Sequence, residues 1–229
     1  MTPGLELRDV IGDGVVPVVR TTRTDLAVRA IGWLREAGFT VFEVTLTVPD
    51  ALDVIRSLRR DAGLVVGAGT VVTRAEAEAC LAAGAQFLVS PVCAETLVDV
   101  CVEAHALAIV SGLTPTEVHR AWSAGAHAVK VFPAGSVGGA AHVRALRSVF
   151  PATPLVPTGG VVLETLDTYF EAGADAVGIG GDLVDDTRIL EADAETWIAR
   201  ARAYRTRGRE LRVANAFRSA TRIAARSDA

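Results

Sequence analysis

Eight short apolar segments recur along the chain, and each ends in a cluster of Gly, Pro or Thr residues. Uninterrupted apolar runs that are rich in β-branched residues are typical of strands in a parallel sheet covered by helices. The chain is therefore predicted to contain eight strands. The segments are VVPVVR (15–20), VFEVTL (41–46), LVVGAGT (64–70), AQFLVSP (85–91), LAIVSGL (107–113), HAVKVFP (127–133), LVPTGG (155–160) and AVGIGG (176–181).

The segments between these runs are predicted to be helices. Thr73 and Thr114 each stand before a helix with Glu three positions later, which is the capping-box pattern, and Pro115 takes a first helical position. Several helices end in Ala-Gly, where Gly suits the left-handed residue that follows a helix. The predicted helices span residues 25–37, 50–60, 74–83, 94–104, 115–124, 140–149 and 163–172.

Strands that alternate with helices eight times predict a (β/α)8 TIM barrel, of the α/β class. A doubly wound open sheet is the competing fold, but no G-x-G-x-x-G motif follows the first strand. We expect a short N-terminal helix and a barrel domain over residues 1–205. An Arg-rich helical extension is expected over residues 206–229, with a break in the helix near Thr206–Gly208 and an amphipathic run over residues 209–226.

Composition narrows the class of protein. The net charge of −4 combines an acidic body with a tail, residues 200–229, that holds nine arginines and two acidic residues. An acidic body argues against nucleic-acid binding. Three cysteines without metal spacing fit a reducing, cytoplasmic setting. The start of the chain does not resemble a signal peptide, no apolar run is long enough to span a membrane, and the four histidines show no metal-ligand spacing.

Two charged side chains are predicted to point into the barrel. In VFEVTLT, Phe42 and Val44 share the face that meets the helices, so that Glu43 faces inward. The same alternation in HAVKVFP turns Lys130 and Phe132 inward. Strands two and six lie opposite each other in an eight-stranded barrel, which would let Glu43 and Lys130 meet across the interior.

Lys130 is the only lysine among 23 basic residues. A buried ion pair with Glu43 is one reading of it, but such a pair is seldom stabilising on balance. Arginine, which the chain uses everywhere else, cannot lose its proton in a protein, whereas a desolvated lysine can. Only a neutral amine attacks a ketone to form a Schiff base, which favours a catalytic lysine over a structural ion pair.

The remaining candidate residues stand at the carboxyl ends of the strands, where barrels carry their chemistry. Arg20, Thr70 and Thr158 end strands one, three and seven, and an arginine with a threonine hydroxyl suits a substrate carboxylate. Gly159-Gly160 and Gly180-Gly181 end strands seven and eight, where barrels often bind phosphate through backbone N–H groups. Tight strand-to-helix turns are the alternative explanation of these glycines.

Seven motifs, in this order and spacing, resemble one family over about residues 5–200. The chain is similar to the bacterial 2-keto-3-deoxy-6-phosphogluconate and 4-hydroxy-2-oxoglutarate aldolases, and in some positions to their 6-phosphogalactonate relatives. The motifs are EVTL (43–46), VGAGTV (66–71), AQFLVSP (85–91), LTPTE (113–117), VKVFPA (129–134), TGGV (158–161) and GIGGDL (178–183).

The resemblance implies a class I aldolase that cleaves a 2-keto-4-hydroxy acid to pyruvate and an aldehyde, without cofactor or metal. By resemblance, Lys130 forms the Schiff base and Glu43 moves protons through a water molecule. The pyruvate pocket would be built from Thr70, Pro91, Phe132 and Thr158, and the phosphate site from Gly159, Gly160, Gly180 and Gly181. The family also implies a homotrimer, with a small 2-keto acid as the binding partner.

Two positions depart from the phosphogluconate pattern. Thr47 stands where those enzymes place an arginine for the carboxylate, and Arg20 matches the arginine that the phosphogalactonate branch places at the end of strand one. Asp182 stands where a serine helps to hold phosphate, which leaves an unphosphorylated substrate open. Two rival functions are an isomerase-type or noncatalytic phosphate-binding barrel, in which Lys130 only pairs with Glu43, and a scaffold that binds through its tail.

Overall fold

All eight predicted strands are present. A computed structural model of the chain describes residues 5–227, with side chains described as far as Asn215. The strands lie within the predicted apolar segments, which confirms the reading of the hydrophobic pattern. They are β1 (Val15–Val19), β2 (Val41–Thr45), β3 (Val65–Gly69), β4 (Phe87–Val89), β5 (Leu107–Ser111), β6 (Ala128–Val131), β7 (Leu155–Pro157) and β8 (Val177–Ile179).

The strands form one parallel sheet that curls into a nearly closed (β/α)8 barrel. Consecutive strands pair from β1 to β7, and β8 pairs with β1. The last gap, between β7 and β8, is bridged at a single point, Thr158–Gly178. The predicted TIM barrel is thereby confirmed. Its least hydrogen-bonded junction, which we call the β7–β8 seam, lies beside the two glycine pairs.

Helices cover the outside of the barrel, and their ends follow the sequence signals. The hydroxyls of Thr73 and Thr114 accept from the backbone N–H of Glu76 and Glu117, as the capping boxes predict. The helices are α1 (Leu7–Ile11), α2 (Thr24–Glu36), α3 (Ala51–Leu58), α4 (Arg74–Ala82), α5 (Glu95–Glu103), α6 (Pro115–Ser123), α7 (Gly139–Val149), α8 (Leu166–Glu171), α9 (Asp186–Glu191) and α10 (Ala194–Ser227).

Two separate apolar clusters form the core. The larger one lies between the strands and the helices, and it holds Phe42, Val44, Val129 and Val131 as the alternation predicts. The smaller one fills the lower barrel with inward side chains such as Phe87 and those of β5 and β6, and the α1 residues Val10 and Ile11 belong to it. The expected N-terminal helix therefore closes the amino-terminal end of the barrel, which leaves the carboxyl end as the open one.

The expected break in the C-terminal helix is wrong, because α10 runs continuously from Ala194 to Ser227. Gly208, which suggested the break, lies inside the helix against the turn before β1. A Cβ on Gly208 would lie 2.6 Å from Val15 Cγ2 and 2.7 Å from the carbonyl oxygen of Asp13. Glycine is needed there because the helix backbone touches the barrel, not because the helix ends.

The first part of the predicted extension packs on the barrel. Arg207 forms an ion pair with Asp167, Leu211 is buried, and Asn215 Nδ2 donates to the carbonyl of Ala174 at 2.7 Å. The predicted amphipathic run over residues 209–226 extends beyond the described side chains. Within residues 5–227, no helix combines the length and apolar character needed to cross a membrane.

Two glycines in helix interiors provide a matched test of this contact. Gly208→Ala should lower the free energy of unfolding by about 1–3 kcal/mol, because the new methyl group meets β1 and its turn. Gly32→Ala in α2 should raise it by about 0.5–1 kcal/mol, because a Cβ there meets no atom within 4 Å and alanine favours the helix. Urea titration of both variants measures the difference. A stabilised Gly208→Ala protein would mean that the helix does not touch the barrel at this point.

Candidate active site

Glu43 and Lys130 meet inside the barrel. Glu43 lies on β2 and Lys130 on β6, and the Nζ and Oε1 atoms are 3.5 Å apart. Each side chain is only 4% exposed. The structure therefore brings together the carboxylate and the amine that strand alternation predicted to face each other.

A glycine on β3 makes room for the carboxylate. Gly69 faces inward beside Glu43, and a Cβ on Gly69 would lie 2.1 Å from Glu43 Oε1 and 2.7 Å from its Cγ. Gly67, one inward position below, leaves similar space for the ring of Phe87. Sequence reasoning did not single out these two residues, although two glycines at period two within VGAGT were the available signal.

Lys130 lies at the base of a cavity of about 610 Å³ that opens at the carboxyl end of the barrel. The ring of Phe132 has its centre 5.4 Å from Lys130 Nζ. Of the predicted site residues, those that line the cavity are Arg20, Lys130, Phe132, Thr158, Gly159, Gly160, Gly180 and Gly181. Glu43, Thr70 and Pro91 are not among the lining residues, although Glu43 contacts Lys130.

One side of the cavity mouth presents an arginine. Arg20 is exposed just after β1, and its Nη2 donates to Thr70 Oγ1 at 3.1 Å. Thr70 has a left-handed backbone with φ of 63°, an uncommon conformation for a non-glycine residue. Arg20 thus has a partner that orients it while most of its donors stay available, which suits a planar carboxylate. Thr47 lies close by and hydrogen-bonds to Thr45 at 2.8 Å between the hydroxyl oxygens.

Another part of the cavity wall is built from glycine backbone. Gly159 and Gly160 have φ of 87° and 76°, which only glycine adopts without cost, and Gly160 packs against the backbone of Gly135. Gly180 and Gly181 follow β8 on the other side of the β7–β8 seam. A Cβ on Gly181 would meet no atom within 4 Å. Small residues on both sides of the seam let a ligand approach the main chain closely.

Asp182 lines the same side, but its charge is compensated from outside the cavity. Its carboxylate forms ion pairs with Arg200 of α10 at 2.5 Å and with Arg188 of α9 at 3.3 Å, and it accepts from the Tyr204 hydroxyl. Burial alone raises the pKa of Asp182, but the Tyr204 hydrogen bond and the two guanidinium groups outweigh it, so that the pKa is lowered. Burial of the Tyr204 hydroxyl, together with its hydrogen bond to Asp182, raises the pKa of Tyr204.

These partners of Asp182 were missed in the sequence. Arg188, Arg200 and Tyr204 follow Asp182 by 6, 18 and 22 residues, and only the packing of α9 and α10 brings them to it. No local sequence motif predicts contacts between residues at these separations. In the described part of the chain, no group of three or more His, Cys, Asp or Glu side chains is placed to hold a metal ion.

A family model and individual related proteins all point to one family of aldolases. The family model described as KDPG and KHG aldolase matches residues 10–200. A 2-dehydro-3-deoxy-phosphogluconate aldolase of Treponema pallidum is 39% identical over 157 residues, which are 68% of this chain and 74% of that protein. A 2-dehydro-3-deoxy-6-phosphogalactonate aldolase of Escherichia coli is 31% identical over 196 residues, which are 83% of this chain and 94% of that protein.

Among solved structures, the chain is similar to a KDPG aldolase from Legionella pneumophila. The TM-score is 0.73 at 26% identity, over 86% of this chain and 93% of that one. That structure holds pyruvate captured at low pH as a covalent carbinolamine intermediate.

Proposed function

The chain belongs to the KDPG and KHG aldolase family, and we propose that it reversibly cleaves a 2-keto-3-deoxy-6-phospho sugar acid to pyruvate and a phosphorylated aldehyde. It is a lyase of the class I type, which works through a Schiff base. The observation that carries the assignment of residues is the enclosed Lys130–Glu43 pair, 3.5 Å apart at the base of an open cavity.

The geometry supports the following sequence of steps. Lys130 Nζ attacks the C2 ketone, and the carbinolamine loses water to form an iminium. Glu43, acting through water, takes the C4 hydroxyl proton while the C3–C4 bond breaks, and the electron pair of that bond flows into the iminium. The aldehyde leaves, the enamine is protonated at C3, and hydrolysis of the iminium releases pyruvate and the free amine.

The two sides of the cavity mouth supply the binding groups. Arg20, oriented by Thr70, is proposed to hold the carboxylate of the keto acid. Thr158 is buried beside Lys130 in the cavity wall, and with Phe132 it is proposed to bound the pyruvate portion. Pro91 lies outside the lining and is retained only as a residue that the family places near the pyruvate pocket.

The phosphate is proposed to bind at the two glycine pairs. Gly159, Gly160, Gly180 and Gly181 line the same cavity as Arg20, and they place backbone within reach of a ligand. The Asp182 carboxylate would repel a phosphate if it were unpaired. Its ion pairs with Arg188 and Arg200 remove that objection to a phosphorylated substrate.

Borohydride trapping tests the Schiff base directly. Incubation with pyruvate and borohydride should leave one reduced adduct, and peptide mapping should place it on Lys130, the only lysine in the chain. Lys130→Arg keeps the positive charge but should give no adduct and no measurable cleavage, because a guanidinium cannot form the imine. An unmodified Lys130 under saturating pyruvate would support the rival barrel in which Lys130 only pairs with Glu43.

Gly181→Ala tests the location of the phosphate. The methyl group meets no protein atom, so that the fold should be unaffected, but it occupies space in the cavity at the glycine pair. We expect KM for the 6-phosphorylated acid to rise by about tenfold, because the methyl group holds the phosphate away from the backbone N–H groups and so weakens a hydrogen bond to a charged group. KM for the unphosphorylated analogue and the trapping of pyruvate should not change. The assay should include both C4 epimers of each acid. If the unsubstituted enzyme shows equal kcat/KM for the phosphorylated and the unphosphorylated acid, the proposed phosphate site is contradicted.

Assembly and location are proposed from the family and from the surface. We propose a homotrimer, which agrees with exposed apolar side chains such as Val102 on α5 and Trp122 on α6. Sedimentation equilibrium should give three times the chain mass of 23.9 kDa, and a monomer at assay concentration would contradict it.

We also propose a cytoplasmic location, in which the free thiols of Cys80, Cys93 and Cys101 stay reduced. Recovery of the protein in a periplasmic or membrane fraction would contradict this location.

A further inference from the structure

Arg20 stands on the loop that joins β1 to α2, and this loop lines a second cavity of about 510 Å³. The second cavity adjoins the active-site cavity, since Arg20 and Asp185 line both. Strand β1 ends at Val19, and Arg20 itself is exposed, so that the sheet no longer fixes the backbone at this point. Other contacts have to hold the loop in place.

Asp186, the first residue of α9, holds this loop from the neighbouring β8 side of the barrel. The backbone nitrogen of Thr22 donates to its carboxylate, at 3.3 Å from Oδ1 and 3.0 Å from Oδ2. The Thr22 hydroxyl also hydrogen-bonds to Oδ2. Thr22 follows Arg20 by two residues, whereas Asp186 is 164 residues away from Thr22 in the sequence. The Asp186 carboxylate therefore fixes the loop just where the sheet ceases to do so.

The far end of the loop is held by two other hydroxyls. The buried Thr21 side chain donates to the carbonyl of Arg23 at 2.9 Å, and Thr24, at the start of α2, donates to the carbonyl of Pro49 at 2.8 Å. Of the side-chain hydrogen bonds in the described part of the chain, only those of Asp186 tie residues 21 and 22 to another element. The position of the loop next to Arg20 thus depends on this one carboxylate.

The same bonds keep two carboxylates occupied beside Arg20. Asp186 uses both oxygens for Thr22, and Asp185 caps α9 by accepting from two backbone N–H groups. A carboxylate that turned toward Arg20 would form an ion pair and compete with the carboxylate of a substrate. Because Asp186 is held by Thr22, the guanidinium donors of Arg20 stay available to a ligand.

We propose that Asp186 is a positioning residue for the reaction: by binding Thr22 it places the Arg20 guanidinium where it meets the carboxylate of the 2-keto acid. Asp186 acts through the loop and does not itself touch the substrate. This role rests on the function proposed for Arg20. The carboxylate is present in substrate and transition state alike, so a displaced Arg20 should weaken binding and leave the turnover of the bound complex nearly unchanged.

Replacement of Asp186 by Ala and by Asn separates positioning from charge. Asp186→Ala should raise KM for the 2-keto acid, and the pyruvate concentration that half-saturates borohydride trapping, by about tenfold. The value of kcat and the maximal yield of the Lys130 adduct should stay nearly unchanged. Asp186→Asn loses the charge but keeps an oxygen for the Thr22 N–H, so that both constants should stay within about threefold of the unsubstituted enzyme. Thr22→Val, which removes the hydroxyl and keeps the backbone donor, is the milder variant and should raise both constants by about threefold.

A double variant shows whether the effect passes through Arg20. In an Arg20→Leu background, Asp186→Ala should raise neither constant further, because no guanidinium is left to position. Asp193→Ala is the matched control, because Asp193 accepts from the backbone N–H of Thr196 at 2.8 Å at the start of α10 and lines neither cavity. This variant loses a comparable hydrogen bond and should leave both constants unchanged.

Three results would overturn the positioning role of Asp186. They are an unchanged KM in Asp186→Ala, an equal rise in the Ala and Asn variants, and a rise in KM that persists in full when Arg20 is already leucine. Each would leave the Lys130 adduct, and with it the proposed function, intact. Failure of the proposed function looks different, because the unsubstituted enzyme would then give no Lys130 adduct at saturating pyruvate, and the role of Asp186 would be refuted with it.

Discussion

The pairing of one carboxylate with one amine inside the barrel is the constraint on which the rest of the structure depends. Glu43 and Lys130 lie 3.5 Å apart and are buried, and the cost of desolvating two charged groups can exceed the attraction between them. The barrel accommodates them because Gly69 leaves space beside Glu43 and because α1 and the lower apolar cluster close the other end. Water and substrate can then reach the amine from one side only.

Arginine and lysine have different roles in this chain, in keeping with their chemistry. Arg147 shows what arginine does here: it donates to the carbonyls of Thr153 and Gly173 and pairs with Asp175, whose carboxylate also accepts from the Leu155 N–H. These fixed guanidinium donors hold together the segments that lead into β7 and β8, two strands that are otherwise joined by a single β-bridge. No such set of donors would serve the role proposed for Lys130, in which the group has to give up a proton and form a covalent bond.

Sequence patterns predicted the parts of this molecule that repeat or that act locally. The eight strands follow from apolar runs, the capping boxes at Thr73 and Thr114 from a Thr-x-x-Glu motif, and the inward direction of Glu43 and Lys130 from alternation, each within one segment. The exceptions depend on contacts between distant segments. Gly208 suggested a helix break because a sequence does not show which helix backbone touches a strand, and the partners of Asp182 are gathered by two helices that no motif connects.

Asp182 shows why a departure from a family pattern has to be judged with its surroundings. Taken alone, a carboxylate at the turn proposed to bind phosphate argues against phosphate. Held by Arg188, Arg200 and Tyr204, it instead carries a charge that is balanced from the outer face of the barrel. The surroundings of Lys130 are then set by the barrel interior, while the charge on the cavity wall at Asp182 is set by α9 and α10. Because these two parts of the proposed site are built from different elements, a substitution on α9 or α10 can change the charge near Asp182 without contacting Lys130 or Glu43.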